Sequence, residues 1–139
     1  PVEHMYTASL NSDIHQARGQ PLPSVTETVK VMRIDDFLRD NAIDRLDLVK
    51  IDVESHEPAV IRGIGAYLAA CHPSMIVEIW NNDVGKEVEQ ALEGCTYYYF
   101  AIEENGPKRV SNIRNDHPES GYLNYLICTR ETAQHLNLL

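Results

Sequence analysis

Within the six residues from Asp52 to Glu57 stand four ionisable side chains: Asp52, Glu54, His56 and Glu57. They close the stretch LDLVKIDV (Leu46 to Val53), which is rich in Leu, Val and Ile, and a helical pattern follows at once. A second apolar stretch, MIVEIW from Met75 to Trp80, is interrupted by Glu78 and followed by Asn81, Asn82 and Asp83. Such groups can orient a polar substrate and exchange a proton with it, and imidazole is the side chain that titrates closest to neutrality. A carboxylate inside an apolar strand is costly unless it has a partner or a task. That argument singles out Asp52 and Glu78. The other residues have plainer uses. Glu57 and Asp83 suit the first turn of a helix, where the dipole favours an acid. Ser55 suits a helix cap, and His56 suits a solvated first turn. Asp52, Glu54, His56 and Glu57 also contain the donor types of a divalent-metal site. No HExxH or EF-hand spacing accompanies them, so no metal is expected. GxSxG, P-loop and GxGxxG patterns are absent as well.

The elements that must position these groups follow from periodicity. TETVKVMRI alternates and predicts a strand, and IDDFLRDNAI predicts a short helix capped by Asp35. Residues 46–53 predict a strand buried on both faces of a parallel sheet. The spacing of Val60, Ile64, Tyr67 or Leu68, and Cys71 predicts a helix from about His56 to Cys71, capped by Ser55, with Pro58 in its first turn. Gly63 and Gly65 are expensive there unless close packing on the sheet requires them. MIVEIW is a second buried strand. DVGKEVEQALEG is a helix capped by Asn82 or Asp83 and closed by Gly94. TYYYFAIE is a third strand, with its three tyrosines read as strand packing, and ENGP is a turn. Residues 108–114 and GYLNYLICT complete the strands, and a helical tail starts at Glu131. Strand and helix alternate, which is the pattern of an α/β fold. The expectation is parallel strands with an antiparallel pair at one edge and helices on both faces. Ligands bind outside the C-terminal ends of strands in such sheets. Asp52, Glu54, His56 and Glu57 lie at one such end, and Glu78, Asn81, Asn82 and Asp83 at the next.

The 139 residues suffice for one domain with a core. The 12 basic and 21 acidic residues give a net charge of −9, which disfavours nucleic acid and anionic membranes as partners. No apolar run reaches the roughly 20 residues that span a bilayer. Cys71, Cys95 and Cys128 are scattered and odd in number, as expected of buried thiols in a reducing cytoplasm. Residues 1–24 read as an irregular arm, and residues 25–139 as the organised part.

LDLVKIDVESHEPAVIRG, followed by PSMIVEIW, closely resembles the central block of the FkbM-type methyltransferases. The residues aligned with that block are Asp47 through Glu57, then Arg62, Gly63, Pro73 and Glu78. VKVMRIDDFL upstream and GYLNYLICTRE downstream are similar to flanking segments of that family. The resemblance implies a Rossmann-like class I methyltransferase sheet, seen in part, with residues 25–139 as its C-terminal two-thirds. It implies S-adenosylmethionine as cofactor and a hydroxyl of a sugar or secondary metabolite as acceptor. The implied catalytic residues are Asp52, Glu54 and His56, with Asp52 and Val53 nearest the cofactor and His56 the base. Glu57, Glu78 and Asn81 are the implied substrate contacts. Two departures stand out. Ser55 replaces the family's usual glycine, and the family's glycine-rich cofactor loop is not among these residues. The chain alone is therefore expected to be inactive, and to self-associate through an exposed edge of the strand at 46–53. Two other readings compete: a non-catalytic remnant that serves as an interaction module, and a metal-dependent hydrolase.

Overall fold

The computed structural model describes residues 27–116 and 123–139. The chain divides into residues 1–31 and residues 32–139. Of the first unit only 27–31 are described, so the expected arm at 1–24 lies outside the described residues. The strand expected in TETVKVMRI is not formed over residues 27–33. Val29 and Val31 are exposed, and no described strand pairs with this segment. Alternation alone does not make a strand when no neighbour takes up its backbone hydrogen bonds.

Helix α1 (Ile34–Asp40) begins after Arg33. Asp35 is not its cap. It sits in the first turn and accepts two hydrogen bonds from the Arg33 guanidinium, at 2.9 and 2.8 Å. Strand β1 (Leu48–Ile51) then runs parallel to β2 (Ser74–Ile79), with Ile51 beside Val77. The crossover between them is two helices rather than one, α2 (Glu57–Ile64) and α3 (Ala66–Cys71). They meet at Gly65, whose φ of 58° is left-handed. A Cβ on Gly65 would lie 2.2 Å from Asp35 Oδ2. The turn and the closeness of α1 demand this glycine, not packing on the sheet.

After β2 come α4 (Asn82–Ala91), β3 (Tyr98–Glu103), β4 (Gly106–Val110), β5 (Leu123–Cys128) and α5 (Arg130–His135). The five described strands order as β1-β2-β5-β3-β4. The antiparallel pair expected at the edge is thus split. β5 lies in the interior, antiparallel to both β2 and β3, and β4 alone takes the edge. Composition explains the split. Tyr125, Ile127 and Cys128 of β5 are buried, so this strand needs cover on both faces. β4 carries Pro107, Lys108 and Arg109, and an edge tolerates proline and charge.

Helices do cover both faces, unequally. On one, Ile51, Met75, Val77, Ile79, Tyr125 and Ile127 pack with Ile61 and Ile64 of α2 and Val84 and Val88 of α4. On the other, Phe100 and Cys128 pack with Ala133 of α5. The double burial expected for β1 is not realised. Ile51 is 1% exposed, but Leu48 is 59% exposed and Lys50 also faces solvent. Among the described residues β1 stands at the end of the sheet with helices on one face, and that face is the one kept dry.

Candidate functional site

Parallel pairing sets the C-terminal ends of β1 and β2 side by side. Asp52 directly follows Ile51, and Glu78 is one residue beyond its partner Val77. The two carboxyl groups therefore share a sheet face, close enough for Asp52 to raise the proton affinity of Glu78. β5 adds Asn124 directly opposite Glu78. Lys50 Nζ lies 3.3 Å from Asp52 Oδ2 and 3.3 Å from Asn124 Oδ1. Three strands thus contribute a carboxyl pair, an ammonium and an amide. Glu78 is half-buried, and its carboxyl is pushed up to about 7. Burial is the main cause. The hydrogen bond and charge of Asp52 add to it, Lys50 opposes it, and the charge of Glu54 adds a smaller push.

The turn that follows Asp52 has an unusual backbone. Glu54 and Ser55 both have left-handed φ, 50° and 73°. Ser55 does not cap α2: the cap position belongs to His56, whose side chain makes no capping bond. The turn is instead held from below by Glu57. Its Oε1 accepts from the backbone N–H of Val53 at 3.3 Å and of Ser55 at 3.2 Å. Glu57 is 2% exposed, and its Oε2 is buried with no hydrogen-bond partner among the described residues. His56 stays within the turn, with Nδ1 3.4 Å from the Glu54 carbonyl oxygen.

At the end of β2, Asn81 performs the capping expected of Asn82 or Asp83. Its Oδ1 accepts from Asp83 N and Val84 N, both at 3.0 Å. Asn82 Oδ1 accepts from Asn115 N at 2.7 Å, and Asn115 Nδ2 donates to the carbonyls of Ile79 and Trp80. Asn115 is 4% exposed, so the segment from Ser111 to Asp116 braces the end of β2. Glu89 anchors that segment, taking Ile113 N at 2.8 Å and Arg114 Nη1 at 3.1 Å. A Cβ on Gly85 of α4 would come within 2.5 Å of Ile113 O, so the close seating of the segment requires this glycine.

The fold therefore joins Asp52 and Glu78 directly, keeps Glu54 and His56 on the adjoining turn, buries Glu57 beneath it, and uses Asn81 as a cap. Sequence reasoning missed Lys50, Asn124 and Asn115. Asn124 carried a signal, since it interrupts an apolar strand much as Glu78 does. Asn115 carried none, because tertiary contact alone buries it. No group of three or more His, Cys, Asp or Glu side chains among the described residues is placed to hold a metal ion. A cleft of about 580 Å3 lies elsewhere, lined by Arg45, Asp47, His72, Ser74, Thr96 and Arg130 among others, and it touches neither Asp52 nor Glu78.

A family model described as the methyltransferase FkbM domain matches residues 3–99. The chain belongs to the FkbM methyltransferase domain family. The matched span of this FkbM domain contains β1, β2 and the whole carboxyl cluster, while β4 and β5 lie beyond it. No curated protein and no solved structure matches the chain significantly. Among the described residues, no helix is long and apolar enough to cross a membrane.

Proposed function

We propose that the acidic end of β1 and β2 is the site of methyl transfer from S-adenosylmethionine to a hydroxyl of a sugar or secondary metabolite. The observation that carries this reading is the contact between Asp52 and Glu78 at the strand ends, inside the matched span. The parallel β1–β2 pair with its helical crossover supports a Rossmann-like class I sheet, in which this edge is the ligand edge.

The residues present suit the cofactor in charge. A sulfonium and an ammonium are cations, and Asp52, Glu54, Glu57 and Glu78 surround this edge with carboxylates. Glu57 Oε2 is a buried acceptor that lacks a donor among the described residues, and the cofactor is rich in hydroxyl and amino donors. When bound, S-adenosylmethionine supplies an electrophilic methyl group and retains the C–S electron pair as a neutral thioether. Asp52 and Val53 would hold it. Glu54 and His56 would face the acceptor, with Glu78 and Asn81 shaping the acceptor's side. Glu57, buried as it is, would act through the turn it supports rather than by touching substrate. Positioning dominates such a displacement, so a braced turn matters as much as its charges.

By resemblance, the glycine-rich part of the cofactor cradle would be supplied by residues other than these 139. Residues 25–139 would then be the C-terminal two-thirds of the domain, in the cytoplasm. The outer edge of β1 has no described partner strand and offers a route to self-association. Calorimetric titration of S-adenosylhomocysteine tests the reading, with the 139-residue chain and with a chain extended upstream. Binding by the extended chain is the expected result. Binding by neither would favour an interaction module.

A further inference from the structure

We propose that Asp52 and Glu78 work as one unit, a carboxyl pair that accepts the proton of the acceptor hydroxyl and holds it between them. This deepens the methyltransferase reading and rests on it for the catalytic half of the claim.

The geometry supplies the reason. Asp52 and Glu78 stand side by side at the ends of adjacent strands, with Lys50 reaching both Asp52 and Asn124, the residue opposite Glu78. Two carboxyl groups set side by side can bond to each other only through a shared proton, since two carboxylates have only acceptor atoms to offer. The parallel register runs to Ile51 beside Val77, and the pair follows one residue later on each chain segment, so the strand ends bring the two carboxyl groups together. The groups facing Glu78 are Lys50 and Asp52 from β1, Glu54 from the turn, and the neutral Asn124 from β5. Lys50 Nζ touches Asp52 and Asn124 together, and so it favours the state in which both carboxyls are ionised. That ionised pair is the form able to act. As the acceptor oxygen gains a methyl group it gives up its hydrogen as a proton, which becomes the shared proton of the pair. Charge balances: a doubly negative pair becomes singly negative while the positive sulfonium becomes neutral. The raised affinity of Glu78 for a proton suits this task near pH 7. An independent feature marks the same edge as a ligand site. Glu57, 2% exposed beneath the turn that leads from Asp52, keeps a buried oxygen without a donor among the described residues.

The test is a carboxyl-carbon NMR titration of the 139-residue chain with no cofactor present. Glu78 is expected to titrate near pH 7. In Asp52→Asn the Glu78 step should move down toward the usual carboxylate range. In Lys50→Met it should move up, because the opposing cation is gone. The second variant keeps the proposal testable if the first fails to fold. Glu78 titrating near pH 4.5 in the wild-type chain, or unmoved by both substitutions, would overturn the pair. The catalytic half is read from the pH profile of kcat/KM in an active, upstream-extended chain. A limb near pH 7 that moves in Lys50→Met is expected, and a limb that stays put would overturn it. A normal NMR result without methyl transfer to any hydroxyl would leave the pair standing, and would sink its catalytic role and the methyltransferase reading together.

Discussion

The two ends of β1 and β2 contrast sharply. At the N-terminal ends lies the cleft of about 580 Å3, with Asp47 and Ser74 on its wall. Its chemistry is spent on the surface: Arg45 pairs with Asp47 at 2.6 Å, with both side chains mostly in water. The C-terminal ends carry the crowded carboxyl groups instead. There Asp52 and the half-buried Glu78 crowd together beside the Lys50 ammonium, and a buried carboxylate supports the turn above them. The cleft and the carboxyl cluster thus lie at opposite ends of the same two strands. Exposed ion pairs contribute little to stability, whereas crowding beside Asp52 adds to the raised proton affinity of Glu78. Functional assignment follows the second feature.

This contrast can be broken or sharpened by substitution. The largest effect is expected at Glu57. Glu57→Ala leaves the amides of Val53 and Ser55 without their acceptor and should cost about 2 kcal/mol, measured by urea unfolding. A loss under about 0.5 kcal/mol would mean that the carboxylate does not hold the turn. Next comes the pH dependence of stability. Folded Glu78 keeps its proton to about 7, while its ordinary value is 4.5. The folded state therefore binds more protons between these values, so stability falls as pH rises across that window. The loss should be about 1 kcal/mol once solvent screening of a half-exposed group is allowed for. Asp35 acts in the opposite sense but at lower pH, since the hydrogen bond from Arg33 holds its carboxyl below the usual range. Melting curves of wild type and Glu78→Gln at pH 5 and pH 8 read the difference, and Gln should remove the fall. An equal fall in both chains would place the titrating group elsewhere. Ser55→Gly should stabilise by about 0.5–1 kcal/mol, because φ of 73° suits glycine and strains serine. Destabilisation would show that the serine side chain has a use of its own. The smallest effect belongs to the other end: Arg45→Ala should change stability by less than about 0.5 kcal/mol.

Much of this was legible in the sequence, for physical reasons that also mark where reading stops. The strand MIVEIW, its neighbour at 46–53 and the helix after Asn81 announce themselves by local periodicity. Asp52 and Glu78 stand out because each breaks an apolar strand. Strand order is not a local property. β5 enters the sheet between β2 and β3 because its own two faces need cover, which a list of strands in chain order does not reveal. The same holds for the segment at 27–33, whose alternation finds no partner strand among the described residues. The helix break at Gly65 depends on Asp35, about 30 residues earlier in the chain. Ser55 reads naturally as a cap, yet the left-handed turn points its amide at Glu57. Lys50 was visible only as a charge in a strand, and its bond to Asn124 spans distant parts of the chain.

The most direct test of the central claim is S-adenosylhomocysteine titration followed by backbone amide NMR, with the 139-residue chain and with the chain extended upstream. The account predicts that the extended chain binds, and that the perturbed amides cluster at Asp52–Glu57 and Glu78–Asn82. Saturable binding that perturbs only the opposite end, around Arg45, His72 and Arg130, would contradict it.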